Sequence, residues 1–133
     1  MANYKIITDS ACDLPGDLLQ NLNVDKASLT VLFQGQSRAD TVDEGVKEFY
    51  DGLRAGEVAT TSAVNPDSWA SVIEPALQAG QDVLVLAFSS GLSTTYQSAV
   101  IAEYRRNKKN SPKEKMQRKK KISWAICMVE KRT

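Results

Sequence analysis

The run VLVLAF (83–88) is continuously apolar, and it lies between Gly80, which can stop a helix, and a hydroxyl-rich turn, SSGLS (89–93). A strand with one wet face alternates apolar and polar residues; a strand covered on both faces need not. Six residues is strand length rather than helix length. The run therefore predicts a central strand of a parallel sheet, and parallel neighbours require crossover connections, usually helical.

The rest of the chain supplies those connections. YKIIT (4–8) reads as a strand, with Asp9 and Ser10 at its carboxyl end. Asp13 is expected to cap a helix with Pro15 in its first turn, and Leu14, Leu18, Leu19 and Leu22 mark one helical face. Strand residues recur between Val24 and Phe33, most clearly LTVLF (29–33), before a turn at Gly35-Gln36-Ser37. Asp43 fits the N-cap of an amphipathic helix carrying Val46, Phe49, Tyr50 and Leu53, which Gly56 ends. TTSAVNP (60–66) reads as a loop. Asn65 then caps, and Pro66 opens, a helix with Trp69, Val72, Ile73, Ala76 and Leu77 on its buried face; Pro75 should kink or shorten it. A last helix leaves the SSGLS turn and runs to about Tyr104. Alternating strands and helices predict an α/β fold in three layers, a mostly parallel sheet with helices on both faces.

Composition removes whole classes of chemistry. With no histidine, the chain alone builds no Ser-His-Asp triad, no Cys-His pair and no His-ligated zinc. Cys12 and Cys127 match no metal spacing, and two thiols in a chain without a leader point to a reducing cytoplasm rather than to a Cys12–Cys127 disulfide. No apolar run approaches the length of a membrane span. Neither the dinucleotide nor the P-loop glycine pattern occurs, and SSGLS lacks the nucleophile elbow. Asp9, Asp13 and Asp17 fit a strand end and a solvated helix face better than a metal site. No catalytic residue, metal or cofactor is expected.

Charge divides the chain. Residues 1–104 hold 5 Lys/Arg and 14 Asp/Glu, a net of −9, whereas residues 105–133 hold 12 Lys/Arg and 2 Asp/Glu, a net of +10. RRNKKNSPKEKMQRKKK (105–121) contains no branched or aromatic apolar residue and reads as a mobile segment. ISWAICMV (122–129) is an apolar run of strand length that can take the next parallel place in the sheet, followed by a tail to residue 133. The expected division is a domain over 1–104, a basic segment over 105–121 and an added strand and tail over 122–133.

Ligands of open α/β sheets bind beyond the carboxyl ends of the strands. TDS (8–10) and SSGLS (89–93) lie there, and Thr60-Thr61-Ser62 precedes a helix nearby in the pattern. SSGLSTT places hydroxyls and backbone N–H groups at a helix start, which suits a carboxylate or phosphate. The same residues also suit plain helix capping, and both readings stay open at this point.

Four stretches in this order resemble the DegV family of bacterial fatty-acid-binding proteins: KIITDSACDLP (5–15), DEGVKEFYDGLR (43–54), TTSAVNPDSW (60–69) and DVLVLAFSSGLSTTYQSAVIA (82–102). The resemblance implies a carrier that holds a long-chain fatty acid in an apolar tunnel and presents its carboxylate to a fatty acid kinase subunit. It implies that Thr61 and Ser93 hold the carboxylate, with Ser62 and the backbone at Gly91 and Leu92 as further contacts. The chain departs from the family pattern at Ala63-Val64 and at Thr94, whose side chain stands where the pattern has glycine. Such proteins are about twice this length, with a second domain walling the ligand, and the likeness stops near Tyr104. The charge switch at that point fits truncation, fusion or a change of frame. Three functions are therefore expected to compete: a fatty-acid carrier, completed in one version by a homodimer partner; a basic-tail protein binding nucleic acid or an acidic surface; and a remnant without function. The lack of aromatic residues among the cations makes nucleic-acid reading the weaker of the binding roles.

Overall fold

A computed structural model describes residues 3–40, 45–109 and 122–127, the last four by their backbone alone. In chain order the elements are β1 (Tyr4–Asp9), α1 (Gly16–Asn21), β2 (Val24–Ala27), β3 (Thr30–Phe33), β4 (Gln36–Ala39), α2 (Val46–Arg54), β5 (Ala59–Ser62), α3 (Pro66–Gln78), β6 (Asp82–Phe88), α4 (Thr95–Lys109) and β7 (Ile122–Cys127).

The main sheet has the order β2-β1-β6-β7 and is parallel throughout. VLVLAF forms most of β6, which is central, with Ile7 opposite Val85 on one side and Ile122 opposite Val83 on the other. Val83, Val85 and Ala87 are at most 1% exposed and belong to one core with Trp69, Ile73, Ala76 and Leu77 of α3 and Ala99 and Ala102 of α4. The small alanines let α4 lie close to its neighbours. Leu84, Leu86 and Phe88, on the opposite face by strand alternation, are only half-buried. There Leu86 and Phe88 share a cavity with Leu14 and Leu22, which flank α1. This is the expected α/β architecture, a parallel sheet flanked by helices.

A second, antiparallel sheet of order β4-β3-β5 accompanies it. Its hairpin turns on Gln34 and Gly35, both at positive φ (51° and 73°), the left-handed pair that suits the twist of a two-residue loop. Phe33 packs edge-on against Phe49 of α2, with ring centroids 5.1 Å apart. Gly52 permits that approach, because a Cβ there would lie 2.5 Å from Phe33 Cζ.

Several local expectations change. Asp13 does not cap α1; at φ 53° it closes a short 3-10 turn, Ser10–Cys12, and Pro15 occupies the cap position without a side-chain bond. Only Leu19 of the leucine face is fully buried, while Leu18 and Leu22 are exposed. Gln36 and Ser37 belong to β4 rather than to a turn, and Thr60-Thr61-Ser62 are strand rather than loop. Pro75 does not end α3, which runs on to Gln78, held by the burial of Ile73, Ala76 and Leu77 around it. The helix after SSGLS continues to Lys109, past Tyr104, through residues that favour helix and whose positive charge suits its carboxyl end. Arg105 and Arg106 there reach back to Asp67 and Glu74 of α3, at 3.9 Å and 3.2 Å. The expected cap at Asp43, the basic segment from 110 to 121, residues 128–133 and the Cys127 side chain lie outside the description; Cys12 is a free thiol.

Candidate functional site

β6 delivers the chain into a tight turn. The carbonyl of Ser89 accepts the N–H groups of Leu92 and Ser93, both at 3.0 Å, and Ser89 Oγ accepts from the N–H of Gly91 at 3.3 Å. Ser93 Oγ accepts the N–H of Thr95 at 3.2 Å, and so serves the start of α4. The capping role is therefore real. It leaves Ser93 a further capacity: Ser93 Oγ lies 2.9 Å from Thr95 Oγ1, and when the buried Thr95 hydroxyl donates in that pair, the Ser93 proton is available to an anion. Ser93 is half-buried, Gly91 is exposed and Leu92 is 64% exposed. The N–H groups of Gly91 and Leu92 are spent inside the turn, so hydroxyls, more than these amides, carry its capacity for a ligand.

Thr61 and Ser62 are exposed residues of β5, paired with Val31 and Thr30 of β3. Val31 in turn faces Arg38 on β4, so Thr61, Val31 and Arg38 lie on one face of the small sheet. Beyond β5 the buried Val64 anchors the chain, and Asn65 Oδ1 accepts the N–H of Ser68 at 2.8 Å to start α3. The two hydroxyl-bearing segments thus lead into adjacent helix starts. These starts are tied together, since Trp69 Nε1–H of α3 donates to the carbonyl of Thr95 at 3.2 Å.

TDS (8–10) is not an open ligand loop. All three residues are buried, and all three side chains are engaged by distant backbone. Thr8 Oγ1 donates to the carbonyl of Leu86 at 3.0 Å. Asp9 accepts from the N–H of Phe88 at 2.7 Å and of Ala11 at 3.0 Å. Ser10 Oγ accepts from the N–H of Leu29 at 2.9 Å. Burial pushes the Asp9 carboxyl above its ordinary value of 3.8, and the two backbone donors pull the other way. The motif fastens the ends of β1 and β6 to each other and to the β2–β3 connection, and so fixes where the 89–93 turn begins.

Beside that clasp lies a cavity of about 320 Å³, lined mainly by apolar groups of Ile6, Leu14, Leu22, Val24, Leu86 and Phe88, with Asp9 and Cys12 also on its wall. No sequence motif marks it. Leu14 and Leu22 carry helix-face spacing, which is also the spacing of ordinary core residues. Among the described residues no group of three or more His, Cys, Asp and Glu could hold a metal ion, and no helix is long and apolar enough to cross a membrane.

A family model described as an uncharacterised protein of the DegV family matches residues 3–117. The chain belongs to the DegV family. The match runs past Tyr104, further than the motif likeness reached. A DegV domain-containing protein of Caldanaerobacter subterraneus is 38% identical over 102 residues, 77% of this chain and 36% of that protein. Two solved structures share the fold. A fatty-acid-binding DegV protein of Thermus thermophilus superposes over 93% of this chain with a TM-score of 0.73 at 29% identity. A stearic-acid-binding protein of Eubacterium ventriosum covers 92% with a TM-score of 0.77 at 26% identity. This DegV chain spans little over a third of that curated relative and 40% of each of those structures.

Proposed function

We propose that this chain is a non-enzymatic carrier that binds a long-chain fatty acid through its carboxylate. The reading rests above all on the TM-scores of 0.73 and 0.77 with proteins described as binding fatty acid and stearic acid. Two local features support it: the Ser93 hydroxyl, positioned by Thr95 at the start of α4, and the apolar cavity beside the end of β6. In this reading Thr61 and Ser93 grip the carboxylate, with Ser62 and the turn at Gly91 and Leu92 around it. The chain's methylenes enter the cavity, each contributing about 0.8 kcal/mol when buried. Neutral donors hold a carboxylate less firmly than an arginine fork, which suits a ligand that is passed on to a fatty acid kinase subunit. About 320 Å³ sits at the lower end of ligand-pocket sizes, so the rest of the acyl chain needs a further wall; in one version of this reading a second copy of the chain supplies it.

Extraction of the purified protein followed by mass spectrometry tests the reading. Co-purified fatty acid, or saturable binding of added palmitate or oleate, is expected. Thr61→Ala together with Ser93→Ala should weaken that binding at least tenfold, at roughly 1 kcal/mol or more per lost hydrogen bond. Absence of any fatty-acid binding would overturn the carrier role. Transfer to a kinase is a separate matter, read by acyl-phosphate formation when the kinase and ATP are added.

A further inference from the structure

Thr95 opens α4 and is fully buried. Its hydroxyl has one hydrogen-bond partner among the described residues, Ser93 Oγ at 2.9 Å. Ser93 Oγ already accepts the backbone N–H of Thr95 at 3.2 Å, and Ser93 itself is half-buried. Two arrangements of the hydroxyl pair are open, and their costs differ. If Ser93 donates, the Thr95 proton lies in the interior without an acceptor and bears the full desolvation penalty of an unmet donor. If Thr95 donates, the proton left over is that of Ser93, at the half-buried turn, where solvent or a ligand can accept it.

Only the second arrangement meets the interior donor, as buried polar groups in native proteins are met. It also leaves Ser93 Oγ accepting twice, from the N–H and the hydroxyl of Thr95, which polarises its own O–H and strengthens it as a donor. We infer that Thr95 is a positioning residue that holds the Ser93 hydroxyl as a donor, and so makes the turn select an anionic headgroup over a neutral one. A carboxylate only accepts, whereas an alcohol both donates and accepts. The carboxylate alone therefore depends on the direction that Thr95 imposes. Trp69 holds Thr95 in place: it is fully buried, and its indole N–H donates to the Thr95 carbonyl at 3.2 Å. The headgroup selection rests on the carrier reading; the direction of the hydrogen bond does not.

Hydroxyl-proton NMR at low temperature tests the direction without any ligand. A Thr95 hydroxyl proton protected from exchange with water, in Overhauser contact with the Ser93 β-protons, is expected, together with a Ser93 hydroxyl proton that exchanges freely. A protected Ser93 proton, or no protected Thr95 proton, would overturn the inference. Titration with palmitate and with hexadecanol tests the consequence. Thr95→Val keeps the branched shape without the hydroxyl; it should weaken palmitate about three- to tenfold and leave hexadecanol unchanged. Thr95→Ser, which restores the donor, should recover most of the palmitate affinity. An equal loss for both ligands marks a merely structural role and overturns the inference, as does a Thr95→Val variant that binds palmitate as tightly as the parent. A parent chain that binds neither ligand overturns the carrier reading and the headgroup selection with it, and the hydroxyl spectra still decide the direction.

Discussion

Asp9 shows how much one side chain settles here. Its carboxylate joins the end of β1 to the end of β6 through the N–H of Phe88, and its burial holds its pKa above 3.8. A carboxyl with a raised folded-state pKa stabilises the fold below its unfolded value and loses that contribution as pH rises through the folded value. Urea midpoints measured upward from pH 3.8 should therefore fall more steeply in the parent protein than in Asp9→Asn, where nothing titrates at this position. Parallel pH profiles would contradict the assignment. Ser10 makes a simpler case: Ser10→Ala leaves the N–H of Leu29 without its acceptor and should cost about 1–3 kcal/mol of unfolding free energy in urea denaturation. Neither role could be read from the sequence. Thr8, Asp9 and Ser10 look like an open polar loop because their partners, Leu86, Phe88 and Leu29, come from strands far along the chain. Ser93 was legible, because capping depends on a residue only two positions on, Thr95.

Legibility at the level of elements follows length and burial. β6 and α3 were readable because each carries a long apolar pattern that the core uses, from Val83 to Ala87 and from Trp69 to Leu77. The small sheet was not. Its strands are four residues each, and Leu32 points outward at 48% exposure because register decides the face. Phe33, on the other face, is what α2 covers, with Gly52 as the point of closest approach. Gly52→Val should therefore push α2 off β3 and cost about 1–3 kcal/mol by overpacking, visible as a lower thermal midpoint in circular dichroism. A raised midpoint would mean that helix propensity outweighs the contact with Phe33.

As a whole the molecule places the 89–93 turn, with an apolar cavity beside it, at the carboxyl end of the central parallel strand β6, the end where α/β sheets take ligands. It spans 36% of a curated relative, and it leaves Leu92, Val100, Ile101 and Tyr104 exposed on and before α4. If a second copy supplies the missing wall, palmitate should drive association, seen by sedimentation as a ligand-dependent rise in mass; an unchanged monomer that binds palmitate fully would dismiss the dimer and leave the carrier role standing. The account depends most on hydroxyls recognising a carboxylate. Calorimetric titration with palmitate and with hexadecanol, which shares the chain but lacks the charge, separates headgroup from tail. The account predicts that Thr61→Ala with Ser93→Ala weakens palmitate at least tenfold while hexadecanol binding is unchanged; an equal loss for both ligands, or no loss for palmitate, would contradict it.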